Sequence, residues 1–227
     1  MVLNCWGFFI FEKNRTMKKT VILFFIFVSF QSLYSQEKNN SPFLEPKNQF
    51  KVEVDSKEYF YSEGDELEIN HSATKSKLKI ELLGFKKFDS GTVSFHYPSN
   101  FAFEVDKDFG YNNWTFDGNN VVILYFEIDN DMKMQEYIDL MVEQFGKKNC
   151  KTEKKQIQLG NKILSGTRIN ITLVGQLLSL EFFEIPLNDY KTRFIAFQDS
   201  KDEEGNNSKE LADMIKMVHE TITFLEN

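Results

Sequence analysis

Three histidines, two cysteines and several carboxylate clusters are the side chains of this 227-residue chain whose chemistry could reach beyond packing. His71, His96 and His219 are widely separated, without the H-E-x-x-H or C-x-x-C spacing that brings zinc ligands together. His96 alternates away from Val93, Phe95 and Tyr97, so it is read as hydrogen-bonded or facing solvent. A hydrolase site assembled around His96 from nearby carboxylates is the enzymatic alternative. His219 reads as a boundary residue of the last helix. There is no G-x-S-x-G nucleophile turn and no G-x-x-x-x-G-K phosphate loop. Asp106 with Asp108, Asp129 with Asp131, and Asp199 with Asp202, Glu203 and Glu204 offer the hard oxygens that calcium takes. None has the glycine that a calcium loop needs at its sixth position, and they are read as solvated turns, with Asp199 to Glu204 the nearest to a site. Cys150 follows Lys147, Lys148 and Asn149, whose charge would lower a thiol pKa, yet the stretch reads as a loop and the thiol as an ordinary small residue. No catalytic residue, metal or cofactor is predicted.

Large aromatics in loop-like surroundings point instead to recognition. Phe109, Tyr111 and Trp114 stand among Gly110, Asn112 and Asn113. They either staple a loop to the core or form the surface for a partner, a protein or glycan of the envelope; they are the candidate partner-binding residues.

The elements that must position these residues are mostly strands. Phe50, Val52 and Val54 alternate with charges, followed by Tyr59 to Tyr61, Leu67 with Ile69, and Leu78, Ile80 and Leu82. These short strands are too few for a core of their own and are expected to pack on the segment from residue 90 onward, or to extend its sheet. Val93, Phe95 and Tyr97 run to a corner at Pro98, after which Phe101 and Phe103 resume. Asp117-Gly118 signals a hairpin. Val121 to Phe126 is apolar on both faces and predicts a central, doubly covered strand. Met134, Tyr137, Ile138, Met141, Val142 and Phe145 form one helical stripe, with Asp131 as the predicted N-cap and Gly146 as the stop. Strands are predicted over 156–159, 163–174, 176–185 and 191–198, with Gly175 turning the middle pair. Asn207, three residues before Glu210, predicts the start of a closing helix with the stripe Leu211, Met214, Ile215, Val218 and Ile222. The fold class expected is α+β: a curved antiparallel sheet flanked by helices, preceded by a small β-hairpin extension.

Met17 to Gln36 has the zones of a secretory signal: Lys18 and Lys19, then the apolar run Val21 to Phe30, then Ser32 to Ser35 before a cleavage site. The run is about half the length of a membrane span. The domain reading is therefore 1–16 as an artefact of start-site choice ahead of Met17, 17–35 as signal peptide, 36–49 as a disordered linker, 50–89 as a small β extension and 90–227 as the main α+β domain. Loss of residues 1–35 removes four basic residues and one acidic one, which leaves 23 Lys and Arg against 33 Asp and Glu, a net charge of −10. Such a charge repels nucleic acid and anionic membranes. Only Cys150 remains in the processed chain, so no internal disulfide can form. The protein is expected to be exported, periplasmic or secreted, with no stable membrane span after cleavage.

The segment from about 90 to 227 resembles the PsbP-like superfamily, which groups extrinsic PsbP-type photosystem proteins, Mog-type Ran-binding proteins and many exported bacterial domains of unknown role. The likeness is carried by V-S-F-H-Y-P at Val93 to Pro98, E-Y-I-D-L-M-V-E-Q-F at Glu136 to Phe145, G-T-R-I-N-I from Gly166, the strand Arg193 to Phe197 and the closing amphipathic helix. What the resemblance implies is the fold and a protein-accessory role; it carries no functional residue. The function expected is a non-enzymatic binding or accessory domain, with the His96 hydrolase and a structural component of an envelope assembly as alternatives.

Overall fold

The computed structural model describes residues 42–68, 77–129, 132–187, 190–202 and 204–225. The signal-like segment, His71, Asp131 and Glu203 lie outside the described residues. Two antiparallel sheets make up most of the fold. The first contains β1 (Asn48–Val54), β2 (Lys57–Ser62), β3 (Leu78–Asp89), β4 (Val93–Pro98) and the short β12 (Thr223–Phe224), in the order β12-β4-β3-β1-β2. The second contains β5 (Ala102–Asp108), β6 (Tyr111–Asp117), β7 (Val121–Ile128), β8 (Cys150–Leu159), β9 (Lys162–Leu173), β10 (Gln176–Glu184) and β11 (Thr192–Ser200), in the order β5-β6-β7-β11-β10-β9-β8. Helix α1 is Met134–Phe145 and helix α2 is Lys209–Thr221.

Alternation along the strands of the seven-stranded sheet gives it two apolar faces. One face, with Phe126, Ile169, Leu180, Phe182 and Phe194, is covered by Met134 and Ile138 of α1. The other, with Trp114, Ile123, Tyr125, Phe183 and Ile195, meets Phe88, Phe95 and Tyr97 of the first sheet and Leu211, Met214 and Val218 of α2. The fold is thus mainly β, a correction to the expected α+β class: opposite α1 the cover is a second sheet with one helix beside it. The segment 50–89 extends the sheet that β4 belongs to, because β3 pairs with β4 from Phe85↔Pro98 to Asp89↔Ser94.

Local signals met different fates. β7 is central and buried on both faces, as its composition requires. The stripe of α1 faces the sheet, but Lys133 holds the N-cap position assigned to Asp131. Ser208 caps α2, its hydroxyl accepting from Leu211 N at 3.0 Å, one residue after the predicted Asn207. Glu210 is drawn away from a capping box to the β6–β7 turn, where it accepts from Asn119 N and Asn120 N at 3.2 and 2.5 Å. Cys150 opens β8 instead of lying in a loop. At Gly166 a Cβ would stand 2.0 Å from the Phe182 carbonyl oxygen, so only glycine lets β9 and β10 approach there. Residues 42–47, expected within an unfolded linker, are pinned in part: Glu45 pairs with Lys86 at 2.5 Å, and Phe43 stacks on Trp114.

Candidate binding surface

The three aromatic candidates do not share a surface. Trp114 is 1% exposed; its ring stacks on Phe43 and Tyr125 between the two sheets. Tyr111 is three residues away on the same strand, and alternation turns it to the opposite face, against Phe126. Burial, with smaller contributions from Tyr137 and Asp106, raises its phenol pKa above the ordinary value. Phe109 alone is fully exposed, at the β5–β6 turn. The glycine and asparagines around them had the composition of a loop, but strand pairing on both sides makes 111–117 an interior strand.

His96 stacks on Phe85 with ring centres 4.3 Å apart. Burial first, and the Lys87 ammonium second, lower its pKa. The charge acting on the ring is therefore a cation, where a hydrolytic base needs a carboxylate to orient and charge it. His219 Nδ1 donates to the Gln158 carbonyl at 3.0 Å and ties α2 to the end of β8. Burial raises the Cys150 pKa, the reverse of what its lysine neighbours suggested. The carboxylates mostly serve their own turns. Asp108 accepts from Phe109 N, Asp129 pairs with Lys191 at 2.8 Å, and Asp202 accepts from Glu204 N and Asn206 N. The Asn206 backbone bond is the main cause of a lowered Asp202 pKa. Among the described residues, no three His, Cys, Asp or Glu side chains converge on a point where a metal could sit.

Two surfaces remain. An open cleft of about 380 Å³ lies between the β4–β5 turn, the β6–β7 turn and the first half of α2, with Asn100, Asn119, Asn120, Lys209 and Asp213 around Met214. Its Glu210 is committed to the turn amides.

The second surface is an arm. β3 is twelve residues long: Phe85 to Asp89 pairs with β4 and delivers Phe88 to the core, whereas Leu78 to Leu82 pairs only with β1. A register shift between Asn48↔Lys86 and Phe50↔Leu82 separates the two halves. In the arm, Val52 stands between Tyr59 and Ile80, and Phe50 between Tyr61 and Leu82. These residues, with Val54, Leu78 and Lys57, share one face, on which Val52 and Val54 are buried. The other face carries the pairs Lys51–Glu58 at 2.5 Å and Lys79–Glu81 at 3.5 Å. Leu78, Ile80 and Leu82 are 53%, 61% and 56% exposed. This surface was readable as alternation in the sequence, but the alternation carries no sign that Leu78, Ile80 and Leu82 stay half exposed while Val52 and Val54 are buried.

Over the described residues, fold and surfaces together define a mainly β architecture of two antiparallel sheets and two α-helices, from which an amphipathic three-stranded arm extends. The chain matches no protein-family profile and no curated protein. Among the described residues, no helix is long and apolar enough to cross a membrane.

Proposed function

We propose that this chain is an exported, non-enzymatic binding or accessory protein of PsbP-like architecture, and that it docks a protein partner on the apolar face of its β1–β2–β3 arm. The observation that carries the reading is Ile80, 61% exposed between Leu78 and Leu82 along β3, beside the buried Val52 and Val54. Aliphatic side chains gain about 1.5–3 kcal/mol each on full burial. Three of them kept half in water on one face are a recognition surface more often than a packing accident. The opposite face carries Lys51, Glu53, Glu58, Lys79 and Glu81 around Phe60, so the arm is more polar on that side.

Export rests on the three-zone segment Met17 to Gln36 and the accessory role on the PsbP-like order of motifs. The net charge of −10 after processing disfavours nucleic acid as the partner.

The test is a photoactivatable residue at position 80 in intact cells, compared with the same residue at Lys154 on the outer strand β8. A discrete protein adduct at 80 that disappears on Leu82→Glu is the expected result. Adducts that are absent at 80, or equal at both positions, overturn the reading.

A further inference from the structure

Among the described residues the two sheets end on four edge strands, and the near half of β3 adds a fifth open edge that carries Lys79 and Glu81. Of the four terminal strands, three are defended. β12 has two residues, too few to template another strand. β8 carries Lys151, Glu153, Lys154 and Lys155, and β5 carries Glu104, Asp106, Lys107 and Asp108. Short length and charge are how natural sheets prevent edge pairing. β2 is different: after Lys57 and Glu58 its sequence is Tyr59-Phe60-Tyr61, and Phe60 is 66% exposed.

We propose that β2 pairs antiparallel with β2 of a second copy of this chain, joining two arms into one six-stranded sheet. The register is set by symmetry and charge. A two-fold axis perpendicular to the sheet keeps each residue on its own side, and opposed residues of an antiparallel ladder point to the same side. Each position must therefore oppose one of equal parity. Centring on Glu58 sets two carboxylates against each other, and centring on Tyr59 sets Glu58 against an aromatic ring. Centring on Phe60 sets Phe60 against its own copy, Tyr59 against Tyr61, and Lys57 against Glu63. Glu63 continues the strand by one step, since its N–H donates to the Asn48 carbonyl at 2.8 Å. That register combines an aromatic centre with opposite charges at both ends, each such pair favourable in a sheet, whereas centring on Tyr61 sets Glu63 against the Tyr59 ring.

In this dimer the Tyr59–Tyr61 pairs carry the apolar face of Phe50, Val52 and Ile80 across the two-fold axis, so the docking face of one arm runs into that of the other. The inference concerns the strand edge, whereas the proposed function concerns the sheet face, and variants separate them. Ile80→Glu, on the face, leaves the dimer intact while removing partner capture.

Sedimentation velocity on the purified protein over a concentration series tests the dimer. Phe60→Lys places like charges on the axis and is expected to raise the dissociation constant at least ~10-fold. Its fold is checked by denaturation, since residue 60 is exposed on the charged face. Lys57→Glu and Glu63→Lys each weaken the dimer, and the double variant restores it. In a chain with Cys5 and Cys150 replaced by Ser, a cysteine at 60 links two copies under mild oxidation, and one at 58 does not. A protein that stays monomeric throughout the series, a dimer unmoved by Phe60→Lys, or a charge swap without rescue overturns the proposal.

Discussion

The indole nitrogen of Trp114 donates a 2.6 Å hydrogen bond to the carbonyl oxygen of Pro42, across 72 positions of the chain. A buried indole N–H needs an acceptor, and the segment ahead of β1 supplies it. Phe43 then lies on the Trp114 ring with centroids 5.7 Å apart, and the Lys107 ammonium sits 4.0 Å from the centre of the Phe43 ring. The bond, the stack and the cation hold the start of the described chain against the sheet.

Trp114→Phe keeps an aromatic ring but loses the donor, and is expected to destabilise the fold by about 1 kcal/mol. Trp114→Ala also opens a cavity, with an expected loss of about 3–5 kcal/mol. Urea denaturation gives both values, and a similar loss for the two variants would contradict the assigned role of the indole N–H.

Glu127 and Arg193 are a buried pair facing the inter-sheet core. Oε1 of Glu127 accepts from Thr92 Oγ1 at 2.7 Å, Tyr125 hydroxyl at 2.8 Å and Arg193 Nε at 3.3 Å. Removing the carboxylate takes a counter-charge away from a buried guanidinium. Glu127→Ala is expected to cost about 3–5 kcal/mol, whereas Glu127→Leu combined with Arg193→Met recovers much of that loss. Denaturation of the single and double variants measures the coupling; additive losses would show that the pair does not act as a unit.

His96 makes stability depend on pH. Its folded pKa lies below the ordinary 6.5, through burial first and Lys87 second. As pH falls through that ordinary value, the unfolded state takes up the proton before the folded one, so stability declines until the folded pKa is reached. Between about pH 7.5 and about pH 5.5, spanning the ordinary histidine range, the native protein should lose more stability than His96→Gln. Equal losses in urea midpoints would place the titration elsewhere.

How far the sequence can be read depends on the range of the interaction concerned. The stripe of α1 was readable because a 3.6-residue period is recorded within one element. The N-cap of α2 was missed by one residue because Asn207 and Ser208 are both good caps, and the choice fell to Asp199, whose carboxylate accepts from Ser208 N at 3.0 Å. Glu210 looked like half of a capping box until the turn at Asn119 and Asn120 came within its reach. Among the candidate binding residues, Trp114 packs into the core, as its stapling alternative has it, but from an interior strand and not a loop, because composition marks a segment as loop-like without knowing which strands lie beside it.

The arm shows the same division most plainly. By itself the sequence determined that Phe50, Val52 and Val54 share a face, and that Leu78, Ile80 and Leu82 share one too, because side chains in a strand alternate with a period of two. It also determined the central place of β7, whose residues are apolar on both faces. Only the tertiary structure decided that β4 pairs with the far half of β3 and leaves the near half to β1, so that Phe88 enters the core while Leu78, Ile80 and Leu82 stay half exposed beside the buried Val52 and Val54. Periodicity is a property of neighbours along the chain, whereas burial depends on which distant elements arrive to cover a face.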